Sequence, residues 1–334
     1  MDRILLTGGF GYVGSHTAAL LAEKGEDFLI YDNFCNCNSD IVNNLEKTIG
    51  EKINFVEGDI RDTPKLEKII RVNRISSVVH FAALKYIEDS VKNPLEYYDV
   101  NVLGTISLLK AMKQNSVKKF LFSSSATIYG EPKYLPIDEM HPLNAINPYG
   151  ETKLIVEKML EDLSKSDDEW SIISLRYFNP IGAHKFGLIG DDPFSGKSKN
   201  LLPSIIRTAL GLSKEIKIYG NSYDTKDGTG VRDYIHILDL ANAHLKALIH
   251  LKSNRGINVF NLGTGRGFSV LELINTFEGV TGNDIPRRFI KKREGDVSSC
   301  YADPSKSKTI LDWQTNLDLK EMCLSAWKFS NKKN

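Results

Sequence analysis

Cysteine is scarce in this chain, four in 334 residues, and Cys35, Cys37, Cys300 and Cys323 form no paired framework. Cys35 and Cys37 stand too close together for an ordinary structural bridge, so the thiols are expected to stay reduced and the fold to hold without disulfides. An excess of one charge is missing too. The 43 Lys and Arg against 42 Asp and Glu leave a net +1, which gives no reason to expect nucleic acid or an acidic membrane as partner. No apolar run approaches the roughly 20 residues that span a bilayer. A core strand begins within three residues of Met1, leaving no room for a secretion signal, and the expected location is cytoplasmic. Seven histidines are scattered, with no i,i+4 pair and no cysteine at zinc spacing, so a metal site is not expected. Internal repeats and low-complexity tracts are absent.

What is present is ordinary globular usage, with 41% hydrophobic and 25% charged residues, which argues against disorder. The length suffices for one large α/β core or two moderate ones. The most informative stretch is Ile4-Leu5-Leu6-Thr7-Gly8-Gly9-Phe10-Gly11-Tyr12-Val13-Gly14-Ser15-His16. A short apolar run reads as a strand, glycines make a turn, and a helix continues from Thr17 to Lys24, with Gly25 as its stop. Such a helix aims unpaired N–H groups at an anion, and the missing side chains of Gly8, Gly11 and Gly14 let a pyrophosphate approach the backbone. The first glycine interval is one residue longer than in the common dinucleotide fingerprint. The next strand, 27–31, ends at Asp32, an acid placed to suit the two ribose hydroxyls of NAD and to repel the extra phosphate of NADP. Residues 1–32 therefore read as the first βαβ unit of an NAD site.

Strand and helix then alternate. The polar stretch 33–39 is either an adenosine-wrapping loop or an exposed connection. Helices are expected over 40–49, 63–72 (Thr63 as N-cap, Pro64 at the first helical position), 94–114 and 149–163. Strands are expected over 53–57, 77–81, 119–123 and 171–177. This rhythm predicts a doubly wound parallel sheet of Rossmann type, with ligands collecting beyond the strand ends where Gly8, Asp32, Asp59, Ala82 and Ser125 fall. In helix 94–114, Leu95, Tyr98, Val102, Ile106 and Leu109 make a stripe that is core or interface. From about Asn179 the rhythm loosens. Residues 182–200 read as a loop, helices follow over 202–212, 238–252 and 270–280, and strand 258–262 is placed to rejoin the main sheet. The expected division is an NAD-binding domain over 1–178, with 235–263 returning to it, and a smaller α/β lobe over 179–334 for the substrate. The basic stretch 287–293 reads as a solvated face from which one arginine can reach a diphosphate.

The chemistry is expected at Tyr149 and Lys153, which share one helix face one turn apart. A phenol near pKa 10 is a poor base at pH 7. Lowering it by about 3 units takes roughly 4 kcal/mol of preferential stabilisation of the phenolate, which the ammonium and a nicotinamide cation can supply together. Ser125, at a strand end facing the same cleft, is placed to hydrogen-bond the reacting oxygen.

With these stretches in view, the chain resembles the extended short-chain dehydrogenase/reductase family, and within it the UDP-glucose 4-epimerases, over essentially all 334 residues. The resemblance is carried by the glycine loop, whose longer spacing is normal for that family, by 81–85, 123–130, Tyr149 with Lys153, and 176–184. The stretches Asp227-Gly228-Thr229-Gly230-Val231-Arg232-Asp233-Tyr234-Ile235-His236 and Arg293-Glu294-Gly295-Asp296 carry it as well. It implies epimerisation at C4 of UDP-hexoses through a transient 4-keto sugar, with Tyr149, Lys153 and Ser125 catalytic. NAD contacts are then implied for Gly8, Gly11, Tyr12, Val13, Gly14, Asp32, Asn33, Asp59, Ile60, Phe81, Ala82, Ala83, Lys85, Asn101, Ser123, Tyr177 and Phe178. UDP-sugar contacts are implied for Asn179, Asn200, Leu201, Lys217, Tyr219, Arg232, Arg293, Asp296 and Cys300, with the two arginines clamping the diphosphate and Tyr219 packing on the uracil.

The family's 4,6-dehydratases carry an Asp-Glu pair after the serine or threonine. Ala126 and Thr127 stand there in this chain and do no acid–base work. Cys300 stands where a large tyrosine is found in some members, which implies that UDP-GalNAc and UDP-GlcNAc are accepted too. A homodimer packed through helices 94–114 and 149–163 is the implied assembly. The competing readings are an epimerase of uronic acids or pentoses and a catalytically silent NAD sensor, the second disfavoured by the intact trio.

Overall fold

A computed structural model describes residues 2–194, 200–293 and 296–332. Its first half runs β1 (Arg3–Thr7), α1 (Tyr12–Glu23), β2 (Phe28–Asp32), α2 (Asp40–Ile49), β3 (Phe55–Glu57), α3 (Thr63–Val72), β4 (Ile75–His80) and α4 (Ile87–Lys92). Then come α5 (Pro94–Tyr97), a π-helical segment (Tyr98–Leu103), α6 (Gly104–Gln114), β5 (Lys119–Ser125), α7 (Pro148–Ser166) and β6 (Ser171–Tyr177). The second half comprises β7 (Asn179–Ile181), α8 (Leu201–Ala209), β8 (Ile216–Tyr219), β9 (Val231–Arg232), β10 (Tyr234–His236), α9 (Ile237–Ser253) and β11 (Gly256–Leu262). It ends with β12 (Phe268–Ser269), α10 (Val270–Thr281), β13 (Arg287–Ile290), β14 (Ser299–Cys300), α11 (Ser305–Leu311) and α12 (Leu319–Asn331).

Seven strands form a parallel sheet in the order β3-β2-β1-β4-β5-β6-β11. The strand order reverses between β1 and β4, and the crevice beyond their C-terminal ends is where such sheets hold ligands. Both faces of the sheet are covered, so its strands are apolar runs rather than half-polar ones. The period of two sorts them: Ile4, Leu6, Val79 and Leu121 pack on one side with Leu21 of α1 and Leu240 and Leu248 of α9. Leu5, Val78, Phe120 and Phe122 pack on the other with Leu66, Leu108, Val156 and Leu160 of α3, α6 and α7. A separate core under the C-terminal lobe joins Leu202 and Ile205 of α8, Ile218 of β8, Leu273 and Phe277 of α10, and Met322 of α12.

Two local expectations are revised. The cap of α3 is Asp62 rather than Thr63: its carboxylate accepts the Lys65 N–H at 3.0 Å, which moves Thr63 and Pro64 into the first turn. Residues 94–114 are not one α-helix, because the π turn over Tyr98–Leu103 interrupts them. The expected stripe divides: Val102 and Leu109 pack against the core, whereas Leu95 is 83% exposed, and Asn101, Thr105, Leu108, Ala111 and Met112 face inward. The basic stretch is a largely solvated strand, β13, paired with β8, as expected; Arg287 is paired with Glu278 and Arg288 with Glu215. Of the expected loop 182–200, residues 195–199 lie outside the described residues, as do Glu294 and Gly295 of the last motif. No helix among the described residues is long and apolar enough to cross a membrane.

Candidate active site

One cavity of about 1200 Å³ opens between the C-terminal strand ends and the smaller lobe. Its floor is the turn from β1 to α1. Gly8 has φ +70°, and a Cβ there would lie 2.5 Å from the Ala82 nitrogen; a Cβ on Gly14 would lie 2.5 Å from the Gly8 oxygen. Only hydrogen fits at either place. Gly11 caps α1 without a side chain, leaving the first N–H groups of the helix directed at the cavity. These features fit the diphosphate of a dinucleotide. Asp32 lines the cavity at the end of β2. It accepts the Phe10 and Phe34 N–H groups at 2.9 and 2.8 Å, and burial raises its pKa against those bonds.

Tyr149 and Lys153 project from the first turns of α7, where Asn147 caps the helix by accepting the Gly150 N–H. Ser125 is the last residue of β5 and lines the cavity beside Tyr149; its hydroxyl oxygen accepts from the Thr127 N–H and hydroxyl. Burial raises the Tyr149 pKa, with the Ser125 hydroxyl opposing. Lys153 donates to the Ser123 carbonyl at 2.7 Å, and its Nζ lies 5.9 Å from the centre of the Tyr149 ring. Burial lowers its amine to about 7, with the charge of Glu157 opposing. The trio thus joins a phenol, an amine poised near neutrality and a hydroxyl, a set suited to moving one proton on and off an alcohol.

The second lobe supplies the far wall. Arg232 ends β9, with Nη2 3.8 Å from Asp296 and Nη1 donating to the Val231 carbonyl. Arg293 lies over the Tyr219 ring, 3.6 Å from its centre, and pairs with Glu88 of α4 at 3.3 Å. Asn179, Asn200, Leu201, Lys217 and Tyr219 share that wall.

Every expected cofactor and substrate residue lines this cavity except Asp59, Asn101 and Cys300. Asp59 turns to Arg61 at 2.7 Å, which holds its carboxyl down to about 2, and it accepts from the cavity residue Asn33. Asn101, turned inward by the π turn and buried, bonds both Leu84 backbone groups and the Thr152 hydroxyl, bracing the segment that carries Lys85. Cys300 sits on β14 beside Arg232 and packs against the cluster containing Phe178 and Ala302; burial pushes its thiol up to about 11.

Sequence reasoning did not foresee Glu88 or Thr127, because their partners are set by tertiary packing and by a 3₁₀ turn. It also treated the histidines as scattered, whereas His16 and His184 meet with ring centres 6.4 Å apart at the lobe junction. No group of three or more metal-binding side chains is found among the described residues.

Against known proteins, residues 5–325 match the family model described as GDP-mannose 4,6 dehydratase. The chain is 46% identical to a UDP-glucose 4-epimerase of Bacillus subtilis over 328 residues, 98% of this chain and 96% of that one. It superposes with a TM-score of 0.97 and 43% identity on UDP-glucose-4-epimerase from Stenotrophomonas maltophila with bound NAD and formylated UDP-arabinopyranose, covering 100% of this chain and 99% of the other. The Bifidobacterium longum UDP-glucose 4-epimerase in complex with NAD+ and UDP gives a TM-score of 0.95 at 44% identity, covering 99% and 98%.

Proposed function

The chain belongs to the UDP-glucose 4-epimerases of the extended short-chain dehydrogenase/reductase family, and from that premise we propose how its own residues interconvert UDP-galactose and UDP-glucose. The observation that carries the reading is the Tyr149–Lys153–Ser125 group standing in the same cavity as the Gly8–Gly14 cradle and the two arginines. NAD, when bound, supplies the oxidising ring that takes the C4 hydride and gives it back. Tyr149 accepts the proton of the sugar 4-hydroxyl and later returns it, so net redox is zero. Ser125 holds the reacting oxygen, and Lys153 in its charged form favours the phenolate. Asp32 takes the adenosine ribose.

Arg232 and Arg293 grip the diphosphate, and Tyr219 packs on the uracil once Arg293 turns from its ring to the phosphate. Asn179 and Asn200 add hydrogen bonds to the nucleotide sugar, and Asp296 adds one to the ribose. Firm hold on the nucleotide and loose hold on the hexose let the 4-keto sugar turn over between the two hydride steps. Dehydration has no general acid–base pair to use, since Ala126 and Thr127 follow Ser125.

The finer reading is that N-acetylated hexoses are also accepted. Cys300 backs the wall formed by Phe178, and its small size leaves that wall room to yield. A UDP-pentose is the second reading, on the observation that the Stenotrophomonas maltophila relative was solved with formylated UDP-arabinopyranose. The assembly is a homodimer through 94–114 and 149–163, supported by the outward face of Val91, Leu95 and Leu103.

Purified protein and its Tyr149→Phe variant, given UDP-galactose, test the reaction: conversion in the parent and a loss of at least about 10²-fold in the variant are expected. Equal rates would refute the role of Tyr149. Cys300→Tyr is expected to lose UDP-GalNAc turnover while keeping UDP-galactose, and unimpaired N-acetyl turnover would sink the finer reading.

A further inference from the structure

The proposed reaction leaves one buried charged cluster unused, directly behind the trio. Tyr149, Lys153 and Glu157 follow one another at four-residue steps along α7, so all three face the sheet. Glu157 and Arg176 of β6 form an ion pair in which each side chain is only 4% exposed. The Glu157 carboxylate accepts Nη2 of Arg176 at 2.6 Å and Nε at 3.1 and 3.2 Å, and the Ser124 hydroxyl at 2.5 Å. Arg176 donates onward to the Tyr129 hydroxyl at 2.9 Å, and Tyr129 to Asn261 at 2.6 Å. Every member has a partner, so the cluster is stiff.

Its attachment to the chemistry is direct in the chain. Ser124 lies between Ser123, whose carbonyl holds Lys153, and Ser125, whose hydroxyl acts to lower the Tyr149 pKa. A sealed ion pair contributes little net stability compared with apolar residues of the same volume, so stability alone does not account for this one. The groups that act on Lys153 are Tyr149 and Glu157 of α7, Phe122 and Ser123 of β5, and His80 of β4, with Arg176 of β6 paired to Glu157 behind them. Burial keeps His80 neutral near pH 7, and Glu157 is the carboxylate whose charge acts on Lys153.

Resting on the reaction proposed above, we propose that Glu157 is a positioning residue for it. Anchored by Arg176 and Ser124, Glu157 locks the strand end 123–125 to α7 and supplies the negative charge that keeps the Lys153 ammonium in place beside Tyr149.

The test uses the enzyme as purified, with its cofactor, in three forms: parent, Glu157→Asp, and Glu157→Gln paired with Arg176→Met so that no buried cation is stranded. In the double variant kcat for UDP-galactose at pH 7 is expected to fall at least about tenfold while KM changes less than about threefold, because the nucleotide contacts are untouched. Its kcat–pH profile narrows: the limb for loss of the Lys153 proton moves down by at least about half a unit, and the limb for Tyr149 ionisation moves up. Glu157→Asp, which keeps the charge, holds both limbs at the parent positions even where kcat drops. A lower kcat with unmoved limbs in the double variant overturns the proposal, since a merely structural role gives that result.

Tyr149 ionisation is also read without turnover, as the 295 nm absorbance step that Tyr149→Phe removes. An upward shift of that step in the double variant supports the proposal, and an unmoved step overturns it. Should the parent fail to convert UDP-galactose while the step still moves, the reaction proposed for the site falls and the role of Glu157 stands.

Discussion

Replacing Lys153 by methionine is expected to stop the reaction and, at neutral pH, to make the protein more stable. The side chain is 3% exposed at the base of the cavity, and burial lowers its amine from 10.5 to about 7 even with Glu157 opposing. In the unfolded chain it returns to its ordinary value. Between those two values the unfolded chain binds more protons than the folded one, so the unfolding free energy rises with pH through that window. At pH 7 the folded protein therefore carries a penalty on the order of 4 kcal/mol at most for this one group. Methionine keeps most of the aliphatic bulk and removes the charge, while Glu157 retains Arg176 and Ser124. Urea unfolding of NAD-stripped parent and Lys153→Met at pH 7 and pH 10 reads the difference. The variant should be the more stable at pH 7, with the gap closing toward pH 10. A variant no more stable than the parent at pH 7, or a gap independent of pH, would refute the reasoning.

Other consequences follow from single contacts. Gly14→Ala places a Cβ 2.5 Å from the Gly8 carbonyl, so the turn must shift; NAD affinity should fall at least about tenfold, and unchanged NAD content would refute the close approach. Glu88→Gln removes the half-exposed partner of Arg293 across the cavity mouth. KM for UDP-galactose should fall by up to about fivefold with kcat unchanged, and a raised KM would show that the pair helps substrate instead of competing with it. Leu95→Glu on the exposed helix face should convert the proposed dimer to monomer in sedimentation equilibrium, and a variant that still dimerises places the interface elsewhere.

The nucleotide half was legible in the sequence because its signals are local. A strand covered on both faces reads as an apolar run, and the glycines of the β1–α1 turn sit where a side chain would collide with backbone. Tyr149 and Lys153 were legible for the same reason, since a four-residue step on a helix fixes a shared face. The second half was harder. Strands of two or three residues such as β9, β10, β12 and β14 are too short for a period, and their pairing comes from lobe packing. The π turn is likewise invisible to a 3.6-residue pattern, although it is what aims Asn101 at Leu84. Glu157 lies four residues beyond Lys153, yet its partner Arg176 is nineteen residues further on in a strand, so the cluster appears only once α7 is laid on β6. Arg293 was legible as a phosphate-binding side chain, whereas its engagement with Glu88 depends on two lobes meeting.

The measurement that tests the central claim most directly is a proton NMR time course with UDP-galactose carrying deuterium at C4, using purified protein without added NAD. The account expects UDP-glucose that retains the deuterium at C4, and the same final ratio when the reaction starts from UDP-glucose. Deuterium lost to water, or no conversion even after NAD is added, would contradict transfer of the C4 hydride out and back within this cavity.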